Sequence, residues 1–249
     1  MKVIGNKFNG GRYGFYLGLT GSVSTSDLMF VGNSIENMTV AAVQFTRESG
    51  STATFSNVTF SGNQIAICPY CLVVDPSGFL SNFTISGNSF NLAANGYSCI
   101  NLASGSIFNI SGNTFHGNGG NTTGIGVALG CSNGIISDNT FNNFTASISN
   151  NSASTVVKKH TVTGKATITT DTQVVGDGAN FYTGWTYVNY GVTFSGDVSF
   201  VCSICDNPTG SALSAQGNDD NKSRGYVVGV SVTNGIPMTI AWQATGVLA

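Results

Sequence analysis

One six-residue phrase recurs along the amino-terminal part of the chain at a nearly constant interval. It reads ISGNSF at 85–90, ISGNTF at 110–115 and ISDNTF at 136–141. The Asn of this phrase and of its earlier, less exact copies stands at Asn6, Asn33, Asn63, Asn88, Asn113 and Asn139. Successive positions differ by 27, 30, 25, 25 and 26 residues, a spacing typical of solenoids and repeat arrays. The repeat therefore limits this part of the chain to a fold of stacked coils.

Apolar residues recur at fixed offsets from this Asn. Three residues before it stand Val3, Phe30, Phe60, Ile85, Ile110 and Ile136, and two residues after it stand Phe8, Ile35, Ile65, Phe90, Phe115 and Phe141. In the copy SNVTFSGN at 56–63, Val58 and Phe60 alternate with Asn57 and Thr59, which is the two-residue period of a β-strand. A second apolar segment follows in each repeat, such as CLVVD at 71–75. Each repeat therefore holds two or three short strands.

Strands that recur in the same direction every 25–30 residues predict an all-β fold, a right-handed parallel β-helix of about six coils over residues 1–153. Each strand is expected to pair with its copy one coil on, about 4.8 Å away, and the handedness follows the general rule for parallel crossovers. We expect the Phe and Ile residues to stack in the interior, with Phe90 touching Phe115. The repeated Asn then forms a hydrogen-bonded ladder at a corner.

The repeat ends after Asn150, and a different pattern follows. Alternating Val, Thr and Ile with turn signals, as in TVTGKATITT at 161–170, predicts a second all-β module, a β-sandwich over residues 154–249. Its expected role is receptor binding or trimerisation, and NNSAST at 150–155 is the predicted junction. At the other end, Val3 already occupies an inward position of the first coil. Because terminal coils need a cap, we expect that residues 1–249 continue a longer protein or that another subunit covers this end.

The low charge of the chain excludes several classes of partner. Lys and Arg total 9, Asp and Glu total 11, and the net charge is −2. No basic stripe is present to neutralise phosphates, so nucleic acid is not an expected partner. No apolar run approaches the roughly 20 residues of a membrane span, and the start MKVIGNKF lacks the apolar stretch of a secretory signal. We therefore expect neither membrane insertion nor a signal peptide.

Six cysteines include two CxxC pairs, CPYC at 68–71 and CSIC at 202–205. Two such pairs can form a tetrahedral zinc site, but 131 residues separate Cys71 from Cys202, far more than usual in zinc knuckles. Cys71 and Cys99 are 28 residues apart, about one coil, which fits small apolar residues stacked in a wall. We favour free or stacked thiols over disulfides and over a metal site, and we expect no cofactor.

Two stretches of the sequence resemble known proteins. The first 150 residues resemble the pectate-lyase-like β-helices of polysaccharide lyases and phage tailspikes, through the coil length and the I-S-G-N-x-F corner. GVTFSGDVSFVCSICDNP at 191–208 and GYVVGVSVTNGIPMTIAWQATG at 225–246 are similar to the receptor-binding tips of phage tail fibres and to H-type lectin sandwiches. In the closing strand, Gln243 replaces the usual aliphatic residue. The resemblance implies an elongated, homotrimeric virion protein that is joined to other tail proteins and acts outside the cell on a bacterial surface glycan.

Candidate binding residues lie in the carboxyl-terminal module. Saccharides are bound by aromatic faces together with directed polar groups, and strand alternation places Trp185 and Tyr187 on one face. The run NDDNKSR at 218–224 is the most charged of the chain and is expected to form a loop between strands. Its candidate ligand-binding side chains are Asp219, Asp220, Asn221, Lys222 and Arg224. The alternatives are that the aromatic residues belong to the core and that the charged run is a solvated hairpin.

Cleavage of the glycan is the alternative function. Hydrolysis requires two carboxylates about 5–9.5 Å apart, and a 27-residue spacing places Glu48 and Asp75 on adjacent coils. Arg47 is expected to lie beside them, where a guanidinium lowers the pKa of a carboxylate or binds an acidic sugar. These three residues are the candidates for a polysaccharide hydrolase or lyase. Because the coils contain few acidic residues, the sequence favours a non-catalytic adhesin over this depolymerase.

Overall fold

The structure is a computed structural model that describes residues 1–76, 79–93, 96–120, 122–169, 181–182, 186–190, 194, 198–206, 212–221, 223–231 and 237–247. These residues form β-strands joined by turns and contain no helix. The chain divides into two compact units, Met1–Lys159 and His160–Ala249.

The first unit is a β-solenoid of about six coils whose strands pair in parallel with their copies one coil on. Its strands are β1 (Lys2–Ile4), β2 (Lys7–Leu19), β3 (Thr25–Val31), β4 (Ser34–Arg47), β5 (Phe55–Ser61), β6 (Gln64–Cys68), β7 (Tyr70–Val74), β8 (Leu80–Ser86), β9 (Ser89–Leu92), β10 (Ser98–Ser111), β11 (Thr114–His116), β12 (Thr123–Ser137), β13 (Thr140–Asn142), β14 (Ala146–Asn150) and β15 (Val156–Val157). The parallel coils predicted from the repeat are confirmed.

The parallel pairings arrange these strands into three faces. Face 1 consists of β1, β3, β5, β8, the second halves of β10 and β12, and β15. Face 2 consists of the first halves of β2 and β4 with β6, β9, β11 and β13. Face 3 consists of the second halves of β2 and β4, then β7, the first halves of β10 and β12, and β14.

Columns of stacked apolar side chains fill the interior between the faces. Phe90 and Phe115 are in register, fully buried, and their ring centroids are 5.0 Å apart at an interplanar angle of 16°. Phe115 stacks in the same way on Phe141 at 4.9 Å, and Phe60 lies 6.3 Å from Phe90. The expected contact between Phe90 and Phe115 is confirmed. Stacked rings in this arrangement add about 0.5–1.5 kcal/mol per pair beyond the area that they bury.

The repeated Asn forms the expected ladder at the corner between faces 1 and 2, which we call the Asn corner. The side-chain oxygen of Asn88 accepts hydrogen bonds from the backbone N–H and the side-chain amide of Asn63, at 2.8 and 2.9 Å. Asn88 in turn donates to the Asn113 oxygen and to the Phe60 carbonyl. Asn63, Asn88 and Asn113 are each 2% exposed or less. Each rung of the ladder therefore satisfies buried polar groups that would cost about 1–3 kcal/mol if left unpaired.

The described strands of the second unit are β16 (Lys159–Thr169), which starts at the last residue of the first unit, β17 (Phe181–Tyr182), β18 (Thr186–Asn189), β19 (Ser199–Asp206), β20 (Ala212–Asn221), β21 (Arg224–Ser231) and β22 (Pro237–Val247). Strand β21 pairs antiparallel with β17, β18 and β20, and β19 pairs antiparallel with β22. Buried Tyr190 contacts Trp242 at a centroid distance of 5.7 Å, and Phe200 stacks on the same Trp242 at 6.2 Å. An aromatic cluster therefore holds this unit together.

Candidate functional site

A groove runs across four coils on the outer side of face 3. Its cavity measures about 240 Å³. The residues that line it are Tyr70, Tyr97, Ser98, Asn101, Thr123, Gly126, Val127, Ala128, Ser149 and Asn151. They come from β7, β10, β12 and β14 and from the turns beside them, so the parallel stacking of the coils builds the groove.

Two tyrosines form an aromatic platform at one side of the groove. The rings of Tyr70 and Tyr97 stack with centroids 5.3 Å apart and an interplanar angle of 23°, and Tyr97 is 61% exposed. The backbone holds Tyr97 in place, because its N–H donates to the Pro69 carbonyl and its carbonyl accepts from the Thr123 N–H, both at 2.9 Å. Burial raises the pKa of the Tyr70 hydroxyl, and the neighbouring Tyr97 raises it further. Both a ring face and a protonated hydroxyl are thus presented at neutral pH.

Uncharged polar groups lie opposite and beside this platform. Asn101, Gly126 and Ser149 occupy equivalent positions on three successive coils, so Gly126 leaves a gap between two polar side chains. In the part of the chain that the structure describes, the side-chain amides of Asn101 and Asn151 have no hydrogen-bond partner. Each amide offers two donors and an acceptor. Aromatic faces with convergent amides and hydroxyls are the groups that bind saccharides.

The three candidate catalytic residues lie near the end of face 3. Asp75 follows β7, and its N–H donates to the Phe45 carbonyl one coil earlier, which places it beside Thr46 and close to Glu48 in register. Its Oδ2 accepts a 2.6 Å hydrogen bond from the Gln44 amide. The Arg47 guanidinium donates to the Ala53 carbonyl at 3.1 Å, and Glu48 is exposed. A catalytic role for Glu48, Asp75 and Arg47 stays a prediction.

Two candidate binding residues of the second unit, Tyr187 and Arg224, lie near the turn of the hairpin formed by β20 and β21. Arg224 pairs with Asn221 on β20 and with Asn189 on β18. The Arg224 guanidinium carbon lies 4.5 Å from the ring centroid of Tyr187, a cation–π contact, and Tyr187 is 57% exposed. The structure thus brings Tyr187 and Arg224 together, as a shared site requires.

Three further candidates lie in strand β20, so the prediction that they belong to a loop between strands is wrong. The backbone of Asp219, Asp220 and Asn221 belongs to β20, with Asp219 opposite Gly225 and a register shift before Asn221. Trp185 and Lys222 lie outside the described residues. Their roles in binding therefore stay predictions.

The cysteines are free thiols. Cys68, Cys71, Cys99 and Cys131 are buried, and Cys205 is exposed. The registers of β7 and β10 place Cys71 directly beside Cys99 in one interior column, as their spacing of about one coil predicts. Within the described ranges, no three His, Cys, Asp or Glu side chains lie close enough to hold a metal ion. Nor does the described part include a helix with the length and apolarity needed to cross a membrane.

The groove was not predicted from the sequence. Tyr70 and Tyr97 are 27 residues apart, which is one coil, and this spacing is the signal that pairs them. The repeat predicts contacts between inward apolar residues one coil apart. Outward aromatic residues one coil apart, such as these two tyrosines, can be paired by the same rule.

The structure is similar to solved phage tailspike proteins. One is the tailspike of E. coli bacteriophage HK620 in complex with a pentasaccharide, with 12% identity, a TM-score of 0.39, and coverage of 99% of this chain and 55% of that one. Another is the Gp54 tailspike of Acinetobacter baumannii bacteriophage AP22 in complex with a capsular saccharide, with 9% identity, a TM-score of 0.29, and coverage of 99% and 60%.

The chain spans about 55% of the length of the HK620 tailspike. No protein-family model and no curated protein sequence matches the chain.

Proposed function

We propose that this chain is the distal part of a phage tailspike or tail fibre and that it binds a glycan of the host cell surface through the face 3 groove. The observation that carries the proposal is the exposed ring of Tyr97, stacked on Tyr70 beside two side-chain amides that make no hydrogen bond within the described part of the chain. A pyranose ring has an apolar C–H face and a rim of hydroxyls, and the platform and the amides complement these two parts.

The finer architecture belongs to the same proposal. The solenoid is right-handed and pectate-lyase-like, as the crossover rule and the I-S-G-N-x-F resemblance suggest. Residues 154–249 form a β-sandwich for receptor binding or trimerisation, an assignment supported by antiparallel strands around an aromatic cluster. Three chains assemble into an elongated virion component, attached to other tail proteins and exposed outside the cell. Sedimentation equilibrium tests the assembly, because the mass must be that of three chains.

Removal of the platform tests the binding site. The variant Tyr97→Ala removes the exposed, stacked ring. Its affinity for purified host surface polysaccharide, measured by titration calorimetry, should be weaker on the order of tenfold or more. Tyr16→Ala is the matched control, because Tyr16 is 57% exposed on the same face but lies outside the groove. Equal affinities of the two variants would refute the groove as the binding site.

The β20–β21 hairpin is the second proposed contact with the receptor. Its support is the Arg224–Tyr187 pair, an exposed cation held against an aromatic ring. Replacement of Asp219, Asp220 and Arg224 together by Ala should abolish attachment to host cells while the trimer persists. Unchanged adsorption would exclude the hairpin and leave the groove as the receptor site.

A polysaccharide depolymerase is the alternative. In the structure, Asp75 is hydrogen-bonded to Gln44 and Arg47 to a backbone carbonyl, and within the described residues neither forms a hydrogen bond or ion pair with the other or with Glu48. Incubation with host polysaccharide should therefore release no new reducing ends and no unsaturated uronates. Release of either product, together with its loss in an Asp75→Asn variant, would establish the enzyme instead.

A further inference from the structure

The coils that build the groove are almost without charge. Residues 64–153 contain no Lys, Arg or Glu, and their charged or imidazole side chains are Asp75, His116 and Asp138. For comparison, the chain as a whole carries 9 basic and 11 acidic residues. The lack of Lys and Arg throughout residues 64–153 limits the ligands that a groove built from these residues accepts.

The three exceptions lie away from the groove or are already engaged. Asp75 accepts the 2.6 Å hydrogen bond from Gln44. Asp138 lies at the Asn corner between faces 1 and 2, where its N–H donates to the Lys159 carbonyl at 2.7 Å. His116 ends β11 on face 2, in register with Asn91 and Asn142. None of the three lines the groove.

The groups that do line the groove are suited to uncharged ligands. They are two phenols, amides, hydroxyls and small apolar side chains. A carboxylate or phosphate of an acidic saccharide would lose water on entering the groove and would find no cation to compensate. Proteins commonly bind acidic ligands with cationic side chains, which form charge-assisted hydrogen bonds to them. A neutral sugar loses only hydroxyl hydration, which the amides replace.

We propose that the face 3 groove selects neutral saccharides and rejects those that carry uronate, sialate or phosphate groups. This inference rests on the proposed glycan-binding function and adds the class of glycan. Because no charge pair forms at the contact, the affinity is also nearly independent of ionic strength, in contrast to that of a site that binds acidic sugars.

A panel of bacterial surface polysaccharides of known charge tests the selectivity. The strongest neutral ligand is then compared with the same polysaccharide after oxidation of its primary alcohols to carboxylates. We expect the oxidised form to bind on the order of tenfold more weakly. Between about 20 mM and about 500 mM salt, the affinity for the neutral form should change by less than about twofold.

Gly126 offers a substitution that blocks the groove without disturbing the coil. A Cβ there would come no closer than 3.7 Å to its neighbours, so Gly126→Val should fold and lose binding of the neutral ligand. Gly18→Val is the matched control, because a Cβ at Gly18 meets atoms only at 3.6 Å or beyond, on the same face and outside the groove. It should keep full affinity.

A Ser149→Lys variant tests the cause of the selectivity. With a cation in the groove, the oxidised polysaccharide should bind as tightly as the neutral form. The affinity for the oxidised polysaccharide should also become salt-dependent. Tighter binding of acidic than of neutral glycans by the unmodified protein would overturn this inference and leave the glycan-binding function standing. Absence of binding to every glycan would overturn both.

Discussion

Ile107 occupies a backbone conformation that its column otherwise assigns to Asn or Asp. Six residues before each Asn of the corner, the chain adopts a positive φ of 51–57° at Asp27, Asn57, Asn82, Ile107 and Asn133. Asn and Asp tolerate this left-handed region, whereas a β-branched side chain clashes with the following carbonyl. The polar members also form an outer ladder, in which Asn82 donates to Asn57 at 2.8 Å and Asn57 donates to Asp27 at 3.1 Å. Ile107 interrupts this ladder.

Ile107→Asn should therefore stabilise the solenoid. Relief of the left-handed strain and extension of the ladder to Asn82 should raise the free energy of unfolding by about 1–2 kcal/mol, measured by chemical denaturation. The side chain is 56% exposed, so little buried apolar area is lost. The reciprocal variant Asn82→Ile should lower the free energy of unfolding by a similar amount. A loss of stability in Ile107→Asn would disprove the steric explanation.

At the scale of elements, the width of the solenoid depends on a column of small residues at the start of face 3. Its members are Gly14, Ala42, Cys71, Cys99, Gly124 and Ser147. This column faces the large side chains of face 2. A Cβ on Gly124 would lie 2.7 Å from the Phe141 ring, and one on Gly14 would lie 2.6 Å from Ile35. The small column therefore makes room for the stacked Phe and Ile column.

Two glycines of β12 give a matched test of this packing. Gly124→Ala should lower the free energy of unfolding by about 1–3 kcal/mol, because the added methyl group overpacks the interior. It would also meet the Ser147 carbonyl at 2.5 Å, a backbone atom that cannot rotate away. Gly126→Ala, two residues on and facing the groove, should leave stability unchanged or raise it by about 0.5–1 kcal/mol. Thermal unfolding of the two variants decides the point, and equal effects would contradict it.

Protonated thiols in the solenoid core make the stability of the whole fold depend on pH in the alkaline range. Burial raises the pKa of Cys68 from its ordinary value of 9.0 to about 12. The pKa of Cys71 is raised well above 9.0 by burial and by its neighbour Cys99. The folded chain therefore keeps protons that the unfolded chain releases above about pH 9. Thiol-linked stability is complete below that pH and is lost as the pH rises towards the folded pKa values.

The free energy of unfolding should accordingly fall between about pH 9 and pH 11, by up to about 1.4 kcal/mol per pH unit for each of Cys68 and Cys71. Other groups titrate in this range, so the comparison with Cys71→Ala isolates the thiol. The variant is expected to fold, because Ala42 occupies the same column one coil earlier. Its stability should decline less steeply with pH than that of the unmodified protein. Identical slopes would show that Cys71 makes no contribution.

The interior of the solenoid could be predicted from residue offsets along the chain. In a parallel solenoid, residues one repeat apart are also neighbours in space, so the offsets alone paired Phe90 with Phe115 and Asn88 with Asn113. Burial acts on every coil in the same way, and the pattern it leaves in the sequence is therefore periodic. The handedness and the sandwich over 154–249 stay predictions.

The groove could not be predicted from residue offsets along the chain. Apart from Ser98 and Val127, its residues are not buried, so no shared burial imposes a periodic pattern on them, and Tyr97 precedes β10 rather than occupying a repeated strand position. Its stacking on Tyr70 depends on the hydrogen bonds that join its backbone to Pro69 and Thr123 on the neighbouring coils. Periodic apolar residues thus specify which strands stack, because burial in the dry core depends on position within the coil. The convergence of rings and amides on the surface depends on turn lengths and strand registers, which exist only once the coils are assembled.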